Sequence, residues 1–71
     1  MTQKEVTTIL YNELPNAGRI ELKTVNGVEY YIFNDPIIEK YIVCQLNNDS
    51  DSSHSDILSS IEECYTWINS K

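Results

Sequence analysis

The segment over residues 49–56 carries the side chains most suited to chemistry. It contains serines, three aspartates and the only histidine of the chain, His54, which are the residue types of a hydrolytic triad. A triad needs fixed positions around a pocket, and consecutive residues of one polar loop cannot surround a pocket. We therefore interpret the segment as a solvated linker and expect no catalytic residue in it.

The same segment offers part of a calcium-binding pattern. Asp49 and Asp51 have the i, i+2 spacing of an EF-hand loop. Counted from Asp49, however, the Gly position holds His54 and the final Glu position holds Ser60. We expect neither a metal nor a cofactor.

Other reactive side chains also lack a catalytic arrangement. Cys44 and Cys64 have no CxxC or Cys/His spacing, so two buried thiols are expected rather than a disulfide or a metal pair. Glu62 and Glu63 are adjacent and diverge by about 100° on a helix, which prevents a paired-carboxylate site. With only two glycines, the chain has no glycine-rich phosphate loop. The sequence thus predicts a protein that is not an enzyme.

The elements that position these residues can be predicted from capping, periodicity and turn signals. Thr2 with Glu5 forms a capping box, and apolar residues then follow at helical spacing up to Pro15, which predicts a helix over 3–14. Asn26 and Gly27 predict a hairpin turn between strands over 19–25 and 28–33. A third strand over 39–46, a polar loop over 47–55 and a helix over 56–69 complete a single domain over 1–71.

The predicted fold class is α+β, a three-stranded antiparallel meander in the order α-β-β-β-α. Short connections favour both helices on one face of the sheet. The two-residue turn places Ile20, Leu22, Tyr31 and Phe33 on one face of the sheet and Val28, Tyr30 and Ile32 on the other. With the first set under the helices, the second set would form an exposed apolar surface for a partner or a second copy.

Two further apolar positions are candidates for contact. Ile37 and Ile38 follow Pro36 in a predicted turn, where they either fold back over the sheet edge or face a partner. Trp67 falls roughly 100° from the centre of the apolar stripe of the second helix, which places it at the margin of the core or outside it.

Charge restricts the class of partner. The net charge is −6, and the second half of the chain holds most of the imbalance. The five bases are too few and too scattered to neutralise a phosphate backbone, so direct nucleic-acid binding is not expected. A basic protein surface would instead be attracted to the acidic residues of the second half, which are Asp49, Asp51, Asp56, Glu62 and Glu63.

The amino terminus lacks a basic segment followed by an apolar run, and no apolar stretch approaches the roughly 20 residues that span a bilayer. We expect a cytoplasmic protein that does not contact a membrane.

The predicted order of elements resembles that of double-stranded RNA-binding domains. Their function depends on lysines at the start of the second helix, where this chain has Asp56, Glu62 and Glu63, so the resemblance does not extend to RNA binding. The stretch over 30–68 is similar to the strand-rich halves of HicB-type antitoxins, and in size, charge and layout the chain resembles small acidic phage inhibitors of host defence nucleases. No diagnostic motif accompanies these resemblances, and no family is assigned.

Two functions follow from the sequence. The first is a protein-binding regulator or inhibitor, and one version of it is a nucleic-acid mimic of the anti-defence type found in phages and mobile elements, which would act against a basic partner. The alternative is a self-associating accessory subunit, a homodimer formed through Val28, Tyr30 and Ile32. The two differ in salt dependence, because only binding through the acidic residues weakens steeply with ionic strength.

Overall fold

The computed structural model describes residues 2–45 and 52–70. The fold class is α+β, as predicted, with two helices and an antiparallel sheet in the strand order β1-β2-β3-β4. The sheet has four strands rather than three. The elements in chain order are α1 (Gln3–Glu13), β1 (Gly18–Val25), β2 (Val28–Asp35), β3 (Lys40–Gln45), β4 (Ser53–His54) and α2 (Ile61–Asn69).

Helix α1 begins at the predicted cap. The Glu5 backbone N–H donates to Thr2 Oγ1 at 3.1 Å, which satisfies one of the free donors of the first turn. Val6, Leu10 and Leu14 repeat every four residues and are all buried, so one stripe of the helix supplies its contact with the sheet.

The β1–β2 hairpin has the predicted turn. Asn26 and Gly27 both have positive φ angles, 53° and 79°, as a two-residue turn of this kind requires. The register pairs Val25 with Val28, as expected, but it shifts between Arg19 and Glu21. This bulge leaves Ile20 as the extra residue of β1 and ends the regular alternation of that strand.

The fourth strand lies in the predicted loop over 47–55, of which residues 47–51 are outside the described residues. Ser53 and His54 pair with Gln45 and Cys44 of β3. The chain then continues along β3, where the Tyr41 and Leu58 backbones exchange hydrogen bonds of 2.9 and 2.8 Å. Because these residues pair with β3, α2 begins at residue 61 instead of 56.

The two helices cover opposite faces of the sheet, so the prediction that they share one face is wrong. Val6, Leu10 and Leu14 of α1 pack with Ile42 and Cys44. Cys64 and Ile68 of α2 pack with a different set of strand residues, namely Tyr30, Ile32 and Val43. Successive residues of a strand point to opposite faces, and both faces of β3 are apolar, so each face requires a cover.

The exposed part of the hairpin therefore lies on the face that was predicted to be covered, and the face that was predicted to be exposed is buried. Tyr30 is 5% exposed and Ile32 is fully buried beneath α2, whereas Ile20 and Leu22 are 53% and 46% exposed. Helix α1 packs on the β3 side of the other face and reaches Phe33 of β2, leaving these β1 residues without a cover.

Neither of the described helices, of 11 and 9 residues, is long and apolar enough to cross a membrane.

Candidate functional site

The β2–β3 turn is held by a buried aspartate. Asp35 is fully buried, and its Oδ1 accepts hydrogen bonds from the backbone N–H groups of Ile37 at 2.9 Å and Ile38 at 3.5 Å. Its Oδ2 accepts from the Asn16 N–H at 3.1 Å, in the connection that follows α1. One carboxylate thus joins two connections that are distant in sequence.

The backbone of this turn forms one turn of helix, closed by a single hydrogen bond. The Glu39 N–H donates to the Asp35 carbonyl at 2.8 Å, and Glu39 has a φ of 54°, in the left-handed region. Pro36 suits the first position of such a turn because its φ is fixed and it has no N–H to satisfy. The turn therefore has a defined conformation, although four of its residues are exposed.

Both isoleucines of the turn face solvent. Ile37 is 72% exposed and Ile38 is 46% exposed, so they are not buried by folding back across the sheet edge, and their contact with a partner stays a prediction. Two adjacent aliphatic side chains on a fixed turn cost free energy in water and gain it when a partner covers them.

The start of α2 lies at the same end of the sheet as this turn. Residues 53–58 run antiparallel to β3 and bring the chain back to Lys40, whose Nζ lies 3.5 Å from Ser59 Oγ. An open groove joins the two regions. The groove is lined by Asn34, Pro36, Ile38, Glu39, Lys40, Tyr41 and Ser59.

The first turn of α2 carries two of the predicted electrostatic residues. Ser60 is the N-cap and accepts from the Glu63 N–H at 3.3 Å, while Glu63 Oε2 accepts from the Ser59 N–H at 2.6 Å. Glu62 is exposed beside them. The helix dipole favours acidic side chains here, which is a structural reason for their presence, and it leaves their outer surfaces in solvent.

We use the name acidic end for the exposed residues that meet at this end of the sheet. Asp56, two residues before the Leu58 bridge, is exposed as well, but it lines a different depression, with Ile9 and Glu13 beside α1. Lys40 is the one basic residue that lines the groove. The acidic end comprises Ile37, Ile38, Glu39, Glu62 and Glu63, and the predicted binding residue Asp56 is not part of it.

The remaining predicted binding residues are not part of the acidic end. Asp49 and Asp51 lie outside the described residues. Tyr30 and Ile32 are buried beneath α2 and Val28 packs at the margin of the same cluster, so the predicted apolar surface on this sheet face does not exist. Trp67 lies at the margin of the core, as predicted, with its ring edge-to-face against Tyr30 at a centroid distance of 6.2 Å.

The serine and histidine of the polar segment are used for structure. Ser55 is buried, its Oγ donates to the Asp56 carbonyl at 2.8 Å, and it accepts from the Val43 N–H at 2.9 Å. His54 Nδ1 lies 2.7 Å from the Ser55 carbonyl rather than beside a hydroxyl. A nucleophile and base require a direct contact between hydroxyl and imidazole, and these two residues do not make one.

The cysteines are buried free thiols, as predicted. Burial raises the pKa of Cys44 from its ordinary value of 9.0 to about 12. Burial, with the nearby Glu63 carboxylate, raises the pKa of Cys64 to about 11. Thiols with such pKa values are poor nucleophiles at neutral pH. Across the described ranges, no group of three or more His, Cys, Asp and Glu side chains is arranged to hold a metal ion.

The cavity between α1 and the sheet is small. It measures about 130 Å³ and is lined mainly by apolar side chains, including those of Leu10, Leu14 and Phe33. Sites for small organic ligands usually measure roughly 300 Å³ or more and contain well-placed polar groups. This cavity is better explained as imperfect packing of α1 on the sheet.

Two residues that shape the acidic end could not be assigned these roles from the sequence. Asp35 directly precedes Pro36 in the sequence, but its bond to Asn16 depends on the folded chain. Glu39 gave no local signal, because a glutamate with positive φ is uncommon and is imposed here by the turn. The signal that was available is the Asp-Pro pair directly before two large aliphatic residues.

Comparison with known proteins identifies no relative, since no protein-family model, curated protein or solved structure matches this chain.

Proposed function

We propose that this chain is a non-catalytic protein-binding module that regulates or inhibits a partner with a basic surface, and that the acidic end makes the contact. The observation that carries the proposal is the exposure of Ile37 and Ile38 on a turn fixed by buried Asp35, within the same end of the molecule as exposed carboxylates.

The two kinds of side chain in the acidic end would have different roles. Burial of Ile37 and Ile38 against an apolar depression would supply affinity, because a large aliphatic side chain gains about 1.5–3 kcal/mol on full burial. Glu39, Glu62 and Glu63 would accelerate association with a basic surface and favour one orientation. The turn is already ordered, which reduces the entropy lost on binding.

One form of this proposal is nucleic-acid mimicry. The carboxylates would then occupy a groove that normally binds phosphates, as on a nuclease or a DNA-binding protein, and the module would act by competition. In this form, Asp49 and Asp51, which lie outside the described residues, would add two further negative charges to the protein.

The test compares partner capture by matched variants in the native cell, with identification of captured proteins by mass spectrometry. The charge variant is Glu62→Gln with Glu63→Gln, in which the amide that replaces the Glu63 carboxylate keeps an acceptor for the Ser59 N–H. The apolar variant replaces Ile37 and Ile38 by serine.

The control has the same change in net charge on other surfaces. It combines Glu5→Gln and Glu29→Gln, two residues that are both exposed. A partner with a basic surface should be retained by the wild type and the control, and lost by both the charge variant and the apolar variant, each with an unchanged circular dichroism spectrum.

Salt and competitor separate the forms of the proposal. Binding should weaken as the ionic strength is raised, and a double-stranded DNA competitor should release the partner if the module mimics nucleic acid. Release by salt but not by DNA would retain the protein-binding function and remove mimicry. Equal capture by all variants would overturn the proposal.

A further inference from the structure

Strand β1 forms one edge of the sheet. Its partner is β2, and no other strand of the described residues pairs with it. It has eight residues, longer than the two-residue strand β4 at the opposite side. An edge strand presents a row of backbone N–H and C=O groups that can pair with a further strand.

The turn geometry shows which residues present those groups. In a hairpin with a two-residue turn, the flanking residues Val25 and Val28 form a hydrogen-bonded pair, and hydrogen-bonded pairs then alternate along the ladder. Lys23 and Glu21 therefore direct their backbone groups toward β2. Leu22 and Thr24 direct theirs outward, to the free edge.

The side chains of neighbouring β1 residues lie on opposite faces of the sheet. Leu22 projects to the face that α1 leaves uncovered and is 46% exposed. Glu21 and Lys23 project to the α2 face, where Tyr65 contacts both of them. The Tyr65 hydroxyl donates to Glu21 Oε2 at 2.7 Å, and Lys23 Nζ lies 4.8 Å from the centroid of the Tyr65 ring. Opposite charges are thus held two residues apart beside the edge.

We propose that β1 pairs with β1 of a second copy of this chain, antiparallel and about a twofold axis at Leu22. In this register Leu22 faces Leu22 of the other copy as a hydrogen-bonded pair, which uses the outward backbone groups of both strands. Glu21 of each copy then faces Lys23 of the other across a non-hydrogen-bonded pair, where side chains approach most closely.

Charge favours this register over the two registers whose twofold axis lies one residue away. A twofold axis at Lys23 would place Lys23 opposite its own copy, and an axis at Glu21 would place two glutamates together, which is destabilising. The bulge at Ile20 interrupts pairing beyond Glu21 and limits the edge to a short segment. The edge therefore pairs with its own copy in one register.

The apolar side chains support the same partner. Ile20, 53% exposed, lies near Thr24 of the second copy in this arrangement, and the two Leu22 side chains cover one another on the part of the α1 face that the helix does not reach. The dimer would join two sheets into one continuous sheet. It does not use the acidic end, so its failure would leave the proposed function untouched.

The test is a charge swap measured by sedimentation velocity across a range of micromolar concentrations. The wild type should sediment at twice the monomer mass. Glu21→Lys and Lys23→Glu should each raise the dimer dissociation constant by tenfold or more, because each creates two like-charge pairs. The double variant E21K/K23E should restore the dimer, since every pair regains opposite charges.

Two controls separate pairing from folding. Tyr65→Phe removes the Tyr65 hydrogen bond to Glu21 without changing charge and should still dimerise. Circular dichroism should show each variant to be folded. A folded wild type that remains monomeric at every concentration, or a double variant as weak as the single variants, would overturn the proposal.

A cross-linking experiment tests the register directly. In Leu22→Cys the two new thiols lie in a hydrogen-bonded pair with Cα atoms about 5.5 Å apart, which suits a disulfide. In the matched variant Thr24→Cys the new thiols are offset by four residues, about 13 Å along the strands, and cannot bond. Oxidation should therefore give covalent dimers of L22C only. Equal cross-linking of both variants would refute the register.

Discussion

Replacement of Asp35 by asparagine isolates the contribution of one carboxylate oxygen to the turn of the acidic end. The side chain is fully buried, and both of its oxygens accept hydrogen bonds from backbone N–H groups. Asparagine has the same shape but replaces one acceptor by a donor. In either orientation of the amide, its NH₂ group faces the N–H of Ile37 or of Asn16.

The expected cost follows from the bonds that are lost. A hydrogen bond to a charged group contributes about 1.5–3 kcal/mol, so D35N should lower the free energy of unfolding by about that amount. Asp35→Ala removes both short bonds and should cost about 3 kcal/mol or more. At roughly 0.05–0.15 kcal/mol per residue, a domain of this length has a total stability of about 4–10 kcal/mol, so neither loss is minor.

The measurement is urea denaturation followed by circular dichroism and by the fluorescence of the single tryptophan, Trp67. The melting temperature of D35N should fall by about 10 °C, since 1 kcal/mol corresponds to about 4–8 °C at this size. Asp56→Asn is the control, because that carboxylate is exposed and its loss should change stability by less than about 0.5 kcal/mol.

Amide hydrogen exchange adds a local measurement. The Ile37 N–H should exchange faster in D35N than in the wild type, because its acceptor is weakened or lost. A D35N variant as stable as D56N, with unchanged exchange at Ile37, would refute the account of the turn given by the structure.

Other predictions test the core, a cap and the thiols. Ile32→Ala should cost about 2–5 kcal/mol in urea denaturation, whereas Ile37→Ala should cost under about 0.5 kcal/mol, because only Ile32 is buried; similar costs would contradict the burial of β2 under α2. Ser60→Ala should cost about 1 kcal/mol by loss of the α2 cap, and no loss would show that Glu63 alone suffices. Folding favours the neutral thiols of Cys44 and Cys64, whose folded pKa values of about 12 and 11 exceed the ordinary 9.0, so stability should be complete below about pH 9 and fall as the pH rises toward the folded values. Both thiols should react with a disulfide reagent only on unfolding, and rapid reaction of the folded protein would contradict their burial.

Local signals in the sequence were sufficient for most elements of the fold. The Thr2 cap and the Asn26-Gly27 turn each act within a few residues, and the structure confirms both. Strand β4 could not be predicted in this way. Its serine and histidine have no strand periodicity, and they are extended because β3 offers them a free edge.

The placement of the helices depended on information that local patterns do not contain. Short connections were compatible with a shared face, but they do not require it. The informative residues were Ile42, Val43 and Cys44, three consecutive apolar residues of β3 that lie on alternating faces and are all buried. A strand that is apolar on both faces needs two covers, and with only two helices in the described residues each must take one face.

The site was predicted in its parts but not as a unit. Ile37 and Ile38 were candidates by residue type, and Glu62 and Glu63 by charge, at separations of about 25 residues. Their proximity requires the chain to return along β3, which is a nonlocal event. The exposed apolar surface predicted around Tyr30 failed for the same reason, since exposure of a sheet face depends on where distant helices pack.

The return of the chain along β3 therefore connects the fold to the proposed function. Ser55 anchors that return through its backbone bond to the Val43 carbonyl and through the bond that its hydroxyl accepts from the Val43 N–H. Leu58 continues it through its pairing with Tyr41, and α2 can begin only after this pairing ends. These contacts with β3, made by uncharged residues, place the acidic first turn of α2 beside the β2–β3 turn. Selection for binding could alter the exposed acids and isoleucines freely, whereas the residues that bring them together are constrained by burial and by backbone hydrogen bonding.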